Sequence, residues 1–150
     1  MFKQATVEDI AHNRITKIHG HIVVVTRYYP RFLKRQRIHE YVPVLAPPKE
    51  LLHDFKKAEE KLGDHDQGFA SIDYESRFEL GIEGDAELAR LAEMAQTTDV
   101  YLVCHCKIGQ YCHRELLMIL AEARHGTRIA RLSHPYTVFR ARLPAKIQES

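Results

Sequence analysis

The chain has 150 residues, 45% of them hydrophobic and 28% charged, with a formal net charge of +2. This is the length of one domain, able to bury roughly two thirds of the surface its unfolded chain exposes. The composition excludes an intrinsically disordered segment, and the small net charge excludes a general DNA binder acting through an overall positive field.

Taken in chain order, the opening "MFKQATVEDIAHN" carries Glu8 and Asp9 and no apolar core, so it is not a secretory signal. The longest purely apolar run, Leu116 to Ala121, is too short to span a bilayer, and a cytoplasmic protein with no membrane partner is expected. "HIVVVTR", His21 to Arg27, follows the turn signal Gly20 and stops before Pro30. Its β-branched run predicts a buried strand, paired with the preceding "RITKI". Pro47 and Pro48 open a helix near Lys49, with Leu51, Leu52, Phe55, Ala58 and Leu62 on one side and Gly63 as its stop. Phe69 to Leu80 reads as either helix or structured loop. Asp85 is expected to cap a helix over "AELARLAEMAQ". "VYLVC", Val100 to Cys104, is apolar on both faces, as in the middle of a parallel sheet. "HRELLMILAEAR" then forms a helix ended by Gly126, and the tail from Thr127 adds a strand or wraps the domain. The order of elements predicts an α/β fold: a single layered domain over residues 1–150, with a mostly parallel central sheet flanked by helices.

All three cysteines and two of the ten histidines fall within "CHCKIGQYCH", Cys104 to His113. Cys104 ends the predicted strand, Cys106 lies in the following loop, and Cys112 and His113 start the next helix. In open α/β sheets that crevice is where ligands bind. Three readings compete. As a metal site, Cys104, Cys106, Cys112 and His113 offer three sulfurs and a nitrogen, a set suited to zinc, at a spacing unlike the usual knuckles. As a reactive site, Cys106 and Cys112 supply thiols and His113 an acid/base group. The helix start then makes Cys112 the most acidic thiol. The phosphate loop of cysteine phosphatases does not fit, because Cys112 stands where that loop needs an arginine. As packing, the cysteines are small core hydrophobes.

"YLVCHCKIGQYCHRELLM" resembles the signature of the domain of unknown function 488 family, in which an apolar strand ends in Cys and Cys-His-Arg begins the next helix. Cys104, Cys112, His113 and Arg114 match by type and spacing. Cys106 stands at a place often acidic there, and in this the segment is similar to a related family, numbered 4326, with Cys-Trp-Cys before Cys-His. "VVVTRYYPRFLKR" resembles a second stretch of one branch of the 488 family, with Arg27, Pro30 and Arg31 in register and Tyr29 in place of Trp. "APPKELLHDF" resembles that branch's helix start. The family-like region covers about 21–126. The resemblance implies an α/β domain of prokaryotic, cytosolic origin and no established reaction.

From Arg27 to Arg37 there are five cations and no acid, interleaved with Tyr28, Tyr29 and Phe32. Guanidinium for phosphate and ring for base is the pattern of a nucleotide or nucleic-acid site. Lys34, Arg35 and Arg37 read as a solvated stretch. Arg27 and Arg31 reach the cysteine loop if their strand neighbours that of Cys104. Asp73, Tyr74 and Arg77 are candidates for a pocket edge, whereas His12, His39, His53 and His65 read as surface residues. The sequence therefore predicts an enzyme-like pocket for an anionic small molecule or a nucleic-acid component. Its thiols and His113 would react, and Arg27, Arg31 and Arg114 would hold the anion. The alternative is a zinc-stabilised module that binds nucleic acid without turnover.

Overall fold

The computed structural model describes residues 1–144; the end of the tail, 145–150, lies outside them. Four strands, β1 (Phe2–Thr6), β2 (His21–Val24), β3 (Glu40–Tyr41) and β4 (Val100–Cys104), form one parallel sheet in the order β1-β4-β2-β3. Helices α1 (Val7–Ala11), α2 (Lys49–Leu62), α3 (His65–Ser71), α4 (Tyr74–Arg77), α5 (Ile82–Met94), α6 (His113–His125) and α7 (Thr137–Ala141) complete an α/β fold. No helix among the described residues is long and apolar enough to cross a membrane.

The period of two in the central strands divides the core. Val23, Val25, Val100 and Leu102 face a large cluster that holds Leu51, Phe55, Phe69, Phe78, Leu88, Leu91 and the buried run of α6. Ile22, Val24 and Val103 face a smaller one with Ala5, Val7, Ile10, Leu33 and Ile38. Strand β4 is interior, between β1 and β2, and its residues are buried on both faces, which is why "VYLVC" lacks alternation. Helix α6 sits under the sheet with His113 to Ala121 all buried, so its sequence is apolar beyond a single stripe.

Two expectations need correction, and one strand went unread. "RITKI" forms turns rather than a partner for β2: Ile18 is 94% exposed, and β2 pairs with β4 and β3 instead. The missing strand is the N-terminal "FKQAT", where only Phe2 and Ala5 are buried and the polar residues between them mask the pattern. Asp85 does not cap α5, which begins earlier, at Ile82 after Gly81; its carboxylate accepts from Arg124 at 2.7 Å in the first turn. Phe69 to Leu80 resolves into the end of α3 and the short α4. The tail wraps: Ile129 bridges to Phe2, and α7 buries Phe139 against the large cluster.

Candidate functional site

Adjacency of β2 and β4 places the segments that leave their carboxyl ends side by side, with Val25 N donating to Val103 O at 3.0 Å. Together with α2 and α3 they enclose a cavity of about 640 Å³. One wall is the segment Thr26 to Phe32, the opposite wall is the loop Cys104 to His113, and Leu52, Phe55, Lys56, Glu59, His65, Phe69 and Tyr74 close the side. Arg27, Arg31, Lys56 and Lys107 line this space against a single carboxylate, Glu59. Among the described residues none of the four cations forms an ion pair, although eleven such contacts occur between other groups. Arg27 is fixed through Nε and Nη2, which donate to Pro47 O at 3.3 and 2.8 Å. Arg31 is exposed, as are Tyr28 and Phe32 at 65% and 63%.

The three cysteines converge on this cavity, and their sulfurs all lie within 4.8 Å of one another. Cys104 and Cys112 are buried; Cys106 is half-buried and is the most accessible of the three thiols. Cys112 is the N-cap of α6 and His113 its first residue. The His113 ring is buried. Its Nε2 lies 2.9 Å from Val25 O and its Nδ1 lies 3.9 and 3.8 Å from the sulfurs of Cys104 and Cys112. Burial works against a charged imidazole here, but the neighbouring Cys104 and Cys112 sulfurs outweigh it and raise His113 to about 10. Hydrogen bonds with Cys106 and then Cys112 draw the Cys104 thiol well below its usual range, and those with Cys104 and then Cys112 push Cys106 well above it. The thiol favoured as an anion by its neighbours is thus Cys104, at the strand end. The helix start had pointed to Cys112.

Arg114 does not line the cavity, contrary to its expected part in holding an anion. It is fully buried, and its Nε and Nη1 donate to Gln4 Oε1 at 2.7 Å, Ala5 O at 2.9 Å and Cys106 O at 3.2 Å. It fastens the cysteine loop to β1. Beside it Glu115, also buried, accepts from Gln4, Ser133 N and the hydroxyl of Tyr136. That hydroxyl in turn accepts from Cys112 N at 3.1 Å. Tyr136 holds a left-handed φ of 47°, a costly conformation for a large side chain that these contacts fix. Burial and then the Glu115 hydrogen bond push its phenol well up, so it remains a donor.

Sequence reasoning missed His65. Gly63, with φ of 66°, ends α2; Asp64 caps α3 by accepting from Gln67 N at 2.8 Å, and His65 is the first helical residue. A Cβ on Gly68 would meet Glu59 N at 2.8 Å, so glycine lets α3 lie against α2 and turns His65 inward. Its Nε2 is 3.2 Å from Cys106 Sγ, while its Nδ1 donates to Asp66 Oδ1 at 2.9 Å. Asp66 also accepts from Tyr111 N, which ties α3 to the cysteine loop. The available signal was the helix punctuation Gly63–Asp64, which places His65 at a helix start. The other three histidines read as surface, His12, His39 and His53, are exposed. Of the pocket-edge candidates Asp73, Tyr74 and Arg77, only Tyr74 lines the cavity; Arg77 pairs with Asp54 at 2.7 Å.

The family model DUF488-N3a, described as the active DUF488-N3 subclade, matches residues 7–125. That span takes in both cavity walls, the whole cysteine loop and His65. No curated protein and no solved structure matches the chain.

Proposed function

As the chain belongs to the DUF488 family, whose shared fold leaves the ligand to be argued from the site, we propose that its cavity binds a phosphate-bearing ligand with a planar ring. A nucleotide or a nucleic-acid component fits this description. The sulfur cluster at the floor is where any chemistry on that ligand takes place. One observation carries the reading: Arg27, Arg31, Lys56 and Lys107, all without an ion-pair partner among the described residues, converge on the same cavity as the thiols. Guanidinium groups recognise phosphate through paired hydrogen bonds, which the exposed Arg31 can offer, while Arg27, whose Nε and Nη2 donate to Pro47 O, adds its charge and its Nη1 donor from a rigidly held position. Exposed Tyr28 and Phe32 supply ring faces at the mouth, where stacking suits any base.

The test is calorimetric titration with adenosine monophosphate, adenosine and inorganic phosphate. The monophosphate is expected to bind more tightly than adenosine. Arg31→Ala is expected to weaken that binding by roughly 1.5 to 3 kcal/mol, the usual worth of a charge-assisted hydrogen bond, and Lys34→Ala much less. Equal loss from both, or no binding of either phosphate compound, overturns the reading.

A further inference from the structure

The histidines beside the sulfurs share a feature that packing does not require. Each has its outer nitrogen tied to an oxygen acceptor: Nε2 of His113 to Val25 O at 2.9 Å, Nδ1 of His65 to Asp66 Oδ1 at 2.9 Å. An oxygen that can only accept keeps the proton on that outer nitrogen, so the inner nitrogen of each ring is the one turned to the thiols. Carbonyl or carboxylate behind an imidazole, with the other nitrogen facing thiolates, is the arrangement that orients histidine toward a metal ion. Cysteines gathered only as small hydrophobes would be met by apolar side chains instead.

We propose that Cys104, Cys106 and Cys112 bind a soft divalent cation of the zinc class, with Nδ1 of His113 as fourth ligand. Three sulfurs and one imidazole form a preferred zinc set, and in such a tetrahedron neighbouring ligand atoms lie roughly 3.5 to 3.8 Å apart. The Nδ1 of His113 is already 3.9 and 3.8 Å from two of the sulfurs, and no two sulfurs are more than 4.8 Å apart. Contraction of the three sulfurs by about an ångström or less brings them to that spacing. Binding displaces the protons that the cluster holds in the metal-free protein. His65, with Asp66 behind it, stands next to Cys106 on the cavity side and acts as a positioning residue for that sulfur. The two adjacent residues Cys112 and His113 both serve because Cys112 is the extended N-cap, with ψ of 145°, so the turn into the helix swings the two side chains to the same centre.

The proposal goes beyond ligand binding in the cavity and fails independently of it. The experiment measures zinc in full-length protein purified without added metal, then strips it and titrates cobalt(II) under reducing conditions. Stoichiometric zinc is expected, together with thiolate-to-cobalt absorption in the near ultraviolet and tetrahedral bands in the visible region. Cys106→Ser and His113→Gln are expected to weaken cobalt binding at least tenfold, and His65→Ala to leave the stoichiometry unchanged. Because the buried variants risk misfolding, the wild-type measurement decides alone. Folded protein that carries no metal, takes up no cobalt and shows three freely titrating thiols overturns the site. Loss of cobalt in His65→Ala with retention in His113→Gln overturns the choice of fourth ligand. Neither result depends on whether adenosine monophosphate binds.

Discussion

At the amino ends of the strands, most charges are paired. His21 Nε2 lies 2.5 Å from Glu40, Arg90 bridges Glu40 and Glu87, and Lys3 and the N-terminal amine both meet Asp99. At the carboxyl ends, around the cavity, Arg27, Arg31, Lys56 and Lys107 are in no ion pair among the described residues. Their neighbours are exposed rings and partly reachable sulfur. Both ends carry arginine, lysine and histidine, so residue type does not separate them. Lack of an ion pair alone does not either, since Lys34, Lys49 and Lys61 on the open surface are in none among the described residues; what sets Arg27, Arg31, Lys56 and Lys107 apart is that they are unpaired and line one cavity. Beneath the cavity lies a third arrangement, Arg114, Glu115, Gln4 and Tyr136, in which polar groups are buried and spent on holding the loop.

The largest effect is expected from that buried support. Arg114→Met removes the donors to Gln4, Ala5 O and Cys106 O while leaving Glu115 in place, and is expected to cost about 3 kcal/mol in urea unfolding, within the range for breaking a buried charged network. A cost below ~1 kcal/mol would show that Arg114 is not the fastener of the loop. Next comes Arg31→Ala, whose exposed side chain leaves stability within about 0.5 kcal/mol while phosphate binding falls at least tenfold. A variant that loses stability instead would place Arg31 with the structural charges.

The smallest effect lies at the opposite end. Burial works against charge on Glu40, but hydrogen bonds from Arg90 and His21 outweigh it and hold its carboxyl below the usual range. The stability this supplies is present above the unfolded pKa of roughly 4.3 and is lost as pH falls through the lower folded value. Glu40→Gln is therefore expected to cost ~0.5 to 1 kcal/mol at pH 7, since the pair is partly exposed, with the difference closing in acid. Nucleotide binding should be unchanged. A Glu40→Gln variant that binds adenosine monophosphate more weakly would dissolve the distinction between the two ends.

Much of this was legible in the sequence. The β-branched run at Ile22 to Val25 and the doubly apolar "VYLVC" announced the two central strands, and the cysteine at the end of β4 pointed to the ligand end of the sheet. Arg27 and Arg31 were traceable because a strand followed by a rigid proline limits where they can go, and the structure does bring them to the cysteine loop. β1 was not legible, because an edge strand with Lys3 and Gln4 between its buried residues lacks a readable period. His65 was missed for a different reason: its role depends on the approach of α3 to α2 at Gly68, a tertiary fact with no local periodicity. Arg114 was misassigned because a charged residue beside Cys-His reads as a ligand holder. Its position on a helix buried all round, which decides its role, shows only when the sheet is assembled.

The proposal that the unpaired cations of the cavity hold a phosphate is tested most directly by a crystal structure of the protein soaked with adenosine monophosphate. The account predicts the phosphate between Arg31, the Arg27 guanidinium and the Cys106–Lys107 segment, with nothing bound near His21 and Glu40. A nucleotide seated at the His21 end, or a cavity that stays empty while the nucleotide binds elsewhere, would contradict it.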